Sequence, residues 1–289
     1  MHIRHRYLSV LFVLFMLSPG LAAANGYLVV ALVEPEMSWT LFIQKNGEQW
    51  EAIVTEHEPR TPAYSAATQQ LVYADSDGSI RLRKNGVEQV IFQSTEKHKF
   101  TQPVFNMAGS HIYMVQLIDG SSIDTDIVIG DLNTGKIKKT VTQRSVQFEP
   151  FVTNEYLYYS SVSCVPPECH RIIEDIWRIN PVAVQVEQLT RLNAIGREPI
   201  VSTNGELYFI SDVNGRFRLH QLVDGLPTPI APDIGSDSSP GITESGNIVF
   251  INRTRSQADT LKQWSVDSSE VSDIVAPLGS IKLRDFSTW

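Results

Sequence analysis

Gln102-Pro103-Val104-Phe105-Asn106 is followed, after a short gap, by the apolar run Ile112-Tyr113-Met114-Val115, and then by a second run, Ile127-Val128-Ile129. The same order recurs around Pro62, Pro150, Pro199 and Pro240, so that the five prolines stand 41, 47, 49 and 41 residues apart. The main runs of the other copies are Leu71-Val72-Tyr73-Ala74, Leu157-Tyr158-Tyr159, Leu207-Tyr208-Phe209-Ile210 and Ile248-Val249-Phe250-Ile251. They are continuous rather than alternating, as in strands covered on both faces. Lys84-Asn85-Gly86, Asn133-Thr134-Gly135 and Asp224-Gly225 follow the third strands and supply the positive φ of tight hairpins. No helical periodicity intervenes. A repeat of about 45 residues built from strands and turns alone predicts an all-β propeller of four-stranded antiparallel blades.

The two ends of the chain decide how many blades there are. Tyr27-Leu28-Val29-Val30-Ala31-Leu32-Val33, Thr40-Leu41-Phe42-Ile43 and the turn Lys45-Asn46-Gly47 form a copy that lacks the proline and the inner strand. At the other end, Ser280-Ile281-Lys282-Leu283-Arg284-Asp285-Phe286-Ser287-Thr288-Trp289 is strand-like and surplus. An open ring would leave unpaired edges that invite aggregation. The missing and the spare strand therefore predict a six-bladed propeller, closed by the C-terminal strand joining the first blade, with residues 25–289 as one domain.

Residues 1–24 are expected to lie outside that domain. Arg4 and Arg6 precede Leu8-Ser9-Val10-Leu11-Phe12-Val13-Leu14-Phe15-Met16-Leu17, and Ala22-Ala23-Ala24 supplies small residues for cleavage. This is the pattern of a cleavable signal peptide, and its apolar run is shorter than the roughly 20 residues a spanning helix needs. A periplasmic or secreted location follows. The net charge of −8 argues against nucleic acid as a partner, and no later stretch predicts membrane insertion. In an oxidising compartment, Cys164 and Cys169, flanking Val165-Pro166-Pro167-Glu168, read as a local disulfide. A zinc site recruiting His170 is the weaker alternative, because the ligand spacing is wrong.

The prolines and the residues after them resemble the TolB-type, or WD40-like, repeat of bacterial envelope proteins. Thr61-Pro62-Ala63-Tyr64-Ser65 and Gln102-Pro103-Val104-Phe105-Asn106 keep its proline and aromatic. Glu149-Pro150-Phe151-Val152, Glu198-Pro199-Ile200-Val201-Ser202 and Ser239-Pro240-Gly241-Ile242-Thr243 keep it less fully. The resemblance covers most of residues 27–289 and implies a propeller without the amino-terminal domain of TolB. It also implies a protein or peptide partner in the cell envelope.

Catalytic signatures are sparse. There is no Gly-x-Ser-x-Gly elbow, no His-Glu-x-x-His and no Gly-rich phosphate loop. His57, His98, His111, His170 and His220 stand singly and are expected at the surface or the edge of the core. Asp119-Gly120-Ser121-Ser122-Ile123-Asp124-Thr125-Asp126 could offer carboxylates to calcium, but it lacks the closing glutamate and reads better as a solvated hairpin. Tyr156, Tyr158, Tyr159 and Trp177 are expected to pack between blades rather than line a groove. No catalytic, metal or cofactor-binding residue is assigned. The expected role is a non-enzymatic scaffold binding through its rim or channel mouth. The alternative is a small propeller hydrolase or lyase acting on sugar or lactone substrates.

Overall fold

The computed structural model describes residues 26–289 apart from 144, 233 and 256 and the side chain of Ser122; the expected signal peptide lies outside the described residues. Blade 1 contains β1 (Gly26–Val33), β2 (Ser38–Lys45) and β3 (Glu51–Ile53). Blade 2 holds β4 (Arg60–Ser65), β5 (Gln70–Ala74), β6 (Ile80–Lys84) and β7 (Val87–Phe92). Blade 3 holds β8 (His98–Phe105), β9 (His111–Ile118), β10 (Ser121–Asp131) and β11 (Ile137–Val141). Blade 4 follows with β12 (Gln147–Val152), β13 (Leu157–Cys164), β14 (Ile173–Asn180) and β15 (Gln185–Gln188). Blade 5 is β16 (Gly196–Val201), β17 (Leu207–Ser211), β18 (Arg218–Val223) and β19 (Leu226–Pro229). Blade 6 is β20 (Ser236–Ile242), β21 (Ile248–Arg253), β22 (Thr260–Trp264) and β23 (Val271–Ile274). The tail strand β24 (Ser280–Thr288) pairs antiparallel with β1, giving blade 1 its fourth strand and closing the ring. Six four-stranded sheets result, with no helix among the described residues.

There is no single core. The buried apolar side chains fall into six clusters, one between each pair of neighbouring blades. Period-2 geometry explains why. Val29 and Ala31 of β1 pack on Val249, Ile251 and Leu261 of blade 6, while Leu28 and Val30 pack toward Leu71 of blade 2. A second strand thus serves two interfaces, which is why β5 and β17 are buried along their whole length.

The two longer connections join second to third strands in adjacent blades. One is the extended hairpin of β9 and β10, whose register shifts between Ser121 and Thr125. The other joins β13 to β14 and carries the Cys164–Cys169 disulfide. Two expectations need correction. His220 is fully buried inside β18, stacked on Phe209 with its Nδ1 2.8 Å from the Arg218 carbonyl, because the flat ring fills the seam between strands. Tyr158 and Tyr159 are buried and Tyr156 packs against the cluster between blades 4 and 5 as expected, but Tyr156 is only half-buried and also lines a surface cavity, with the Arg178 guanidinium over its ring at 4.4 Å.

Candidate functional site

Each inner strand bends at its proline. Proline disfavours the right-handed helical region for the residue before it. In this chain that residue turns left-handed, with φ of 43° at Thr61, 51° at Gln102, 57° at Glu149, 54° at Glu198 and 50° at Ser239. The pairing register shifts at the same five places. A bulge re-aims side chains, and here it turns a polar one toward the central channel in each of these five blades.

Those side chains form a collar. The Thr61 amide donates to Asp285 Oδ2 at 3.0 Å, and the Gln102 amide to Thr61 Oγ1 at 3.0 Å. The Glu149 amide donates to Gln102 Oε1 at 2.8 Å, and the Glu198 amide to Glu149 Oε2 at 2.6 Å. The Ser239 amide donates to Glu198 Oε2, and the Ser239 hydroxyl reaches the Arg284 carbonyl at 3.5 Å. The belt runs through all six blades. In blade 1, Asp285-Phe286 of β24 stands where the others have a polar residue and proline.

Outside the collar the channel widens into a funnel of about 500 Å³. Its walls come from the residues after the prolines, among them Tyr64, Phe105, Phe151, Ile242, Phe286 and Trp289. The result is an apolar mouth above a polar floor.

Charge on the floor is uneven. On the side of blades 1 and 2, Arg284 Nη1 lies 2.7 Å from Glu58 Oε1 and its Nε 3.3 Å from Asp285 Oδ2, with the guanidinium 4.3 Å above the Trp39 ring. The Arg284 hydrogen bond holds the Glu58 carboxyl below its usual range. On the side of blades 4 and 5, Glu149, Glu174 and Glu198 crowd together. Burial, and then the Glu149 charge, push Glu174 up to about 8 and Glu198 up to about 7. Burial likewise raises Glu149, although the Ser160 hydroxyl donates to it at 2.8 Å. Arg197 is their nearby cation, its Nε 3.6 Å from Glu198 Oε1. Glu198 keeps 20% of its side chain open to the channel.

The residues singled out in the sequence lie elsewhere. Cys164, the last residue of β13, is joined to Cys169 in the loop that follows. Asp119 and Asp124 are exposed at the β9–β10 hairpin, whereas Asp126 is buried and paired with Lys139 at 2.6 Å. Among the described residues, no group of three or more His, Cys, Asp or Glu is placed to hold a metal ion. Ser110 Oγ lies 2.9 Å from His111 Nδ1, and His111 Nε2 lies 3.7 Å from Asp131 Oδ2. That trio belongs to turn chemistry: Ser110 also accepts from Asn106 Nδ2, and Asp131 accepts the amides of Asn133 and Thr134. The collar itself went unread, although a polar residue before every one of the five prolines was its signal.

No protein-family model matches the chain, and no curated protein matches it in sequence. Solved structures do match in shape. TolB from Acinetobacter baumannii superposes with a TM-score of 0.73 at 18% identity, over 92% of this chain and 66% of that one. The chain therefore spans just under two thirds of that protein's length. A structure assigned as TolB from Agrobacterium tumefaciens gives 0.66 at 12% identity, over 87% and 88% of the two chains. An oligogalacturonate lyase in complex with manganese gives 0.59 at 11% identity, over 83% and 71%. Identities this low speak for fold alone: the protein is a six-bladed β-propeller similar to those of the TolB structures.

Proposed function

We propose that the protein is a non-enzymatic scaffold of the bacterial cell envelope, exported by residues 1–24, which docks a protein or peptide partner at its channel mouth. The observation that carries this reading is the apolar funnel above the collar. It is large enough to receive side chains, and in the collar beneath it Glu149 and Glu198 each give Oε2 to the next blade's amide. Similarity to TolB propellers is in keeping with a docking role. The test is site-specific photocrosslinking in the cell of origin. A crosslinker at Met107, on the funnel rim, should give a discrete adduct that one at Leu226, exposed on the outer strand of blade 5, does not. Equal or absent labelling at Met107 would sink the reading.

A second reading has one observation in its favour. Carboxyls raised toward neutrality, as at Glu174 and Glu198, are what a general acid or base needs, and a lyase shares the fold. Turnover of a glycan or lactone substrate, abolished by Glu198→Gln, would establish it over the scaffold.

A further inference from the structure

The funnel does not end at its rim. A second cavity of about 320 Å³ lies on the same face at the seam between blades 3 and 4, and it shares Asn106, Met107 and Val152 with the funnel. The two cavities are therefore contiguous, one lined by residues of all six blades and the other by residues of blades 3 and 4. Their apolar contacts are presented to solvent: Met107 is 62% exposed where they meet and Val182 93% exposed at the outer end, with Tyr156 forming part of the wall. Their charges are acidic. Glu149 and Glu198 stand at the inner end and Glu155 in the second cavity. The nearby cations are spoken for: Arg197 faces Glu198, and Arg178 lies on the Tyr156 ring and pairs with Glu187 at 2.6 Å.

We infer that the occupant is an extended polypeptide segment of the partner, which drops a lysine or arginine side chain onto Glu149 and Glu198 and lays apolar residues into the second cavity past Met107. This rests on the docking reading above and adds the chemistry of the segment. Two contiguous cavities suit an extended chain, whose side chains alternate between the floor and solvent. A cation at the inner end adds to the partial compensation that Arg197 and Arg253 give these buried carboxyls, and apolar flanks cover the exposed Met107 and Val182. Such a site selects by charge complementarity as well as by area.

The test uses the full chain and a displayed library of linear dodecamer peptides, with two variants as controls. Glu149→Gln/Glu198→Gln removes the groups that can ionise against a bound cation but keeps acceptor oxygens in the collar, as Gln102 already does in the neighbouring blade. Met107→Glu blocks the junction of the two cavities with a charge on an exposed residue. Thermal melts confirm that both are folded. Enriched peptides should carry a lysine or arginine flanked by aromatic or aliphatic residues, and should lose at least about tenfold in affinity to each variant, about 1.4 kcal/mol. Peptides that lack a basic residue yet lose affinity to Met107→Glu would overturn this inference and leave docking at the mouth intact. Peptides indifferent to both variants, or no enrichment at all, would overturn both.

Discussion

Thr61, Gln102, Glu149, Glu198, Ser239 and Asp285 differ in size and charge, but each sets a side-chain oxygen near the channel wall, and in five of them that oxygen holds the next blade's amide. The bulge frees that amide from the ladder, so it needs an acceptor from outside its own sheet. Gln102→Ala should therefore strand the Glu149 amide and cost about 1–2 kcal/mol, read as a lower urea midpoint at unchanged slope. Glu149→Gln should cost far less, since its Oε1 can accept as Gln102 Oε1 does. This is also where sequence reading stopped. What the collar residues share is an atom in the right place, not a residue type, and a scan for residue types passes over Thr, Gln, Glu and Ser in equivalent positions. His220 escaped for a related reason, because a single histidine carries no mark of a stacking partner on the neighbouring strand.

At the scale of the strand, the fold was legible because burial on both faces leaves long apolar runs. The closure was legible because one end lacked a strand and the other had one to spare. The tail does more than complete a ladder. Phe286 and Leu283 sit in the cluster between blades 6 and 1, Asp285 belongs to the collar, and Arg284 reaches Glu58 and the Pro59 carbonyl of the chain entering blade 2. Ending the chain before Ser280 should expose the apolar edge of β1 and give protein that aggregates or melts without cooperativity. A truncated chain that stays monomeric and melts like the full one would refute the closure. Phe286→Ala is the milder probe, with a loss of about 3–5 kcal/mol expected for a buried aromatic. The disulfide acts on a smaller scale. It spans a separation of 5 residues, so Cys164→Ser/Cys169→Ser should cost about 2 kcal/mol by chain entropy and leave the propeller assembled in circular dichroism.

Six interfaces of similar construction make the whole ring cooperative, so a perturbation in one sector should appear in the melt of the entire molecule. The sector of Glu149, Glu174 and Glu198 provides one. Their carboxyls are raised in the folded protein, with Glu174 at about 8 and Glu198 at about 7. Below the unfolded value of about 4.5 both states are protonated and the groups cost nothing. As pH rises toward 8 the unfolded chain releases protons that the folded one retains, so stability falls across that window. His220 works in the opposite direction. Burial depresses its basicity, so its contribution is present above about pH 6.5 and is lost as pH falls. Melting temperature should accordingly decline from mildly acidic pH toward 8.5. Glu198→Gln should flatten that alkaline decline and leave the acid limb, which belongs to His220 and Glu58, in place. With each kcal/mol worth roughly 2–4 °C in a chain of this size, the variant should melt a few degrees above the parent at pH 8.5 and level with it near pH 5. A decline of equal steepness in both proteins would show that the channel carboxylates are solvated as freely as surface ones, and the electrostatic case for a basic side chain at the channel floor would fall with them.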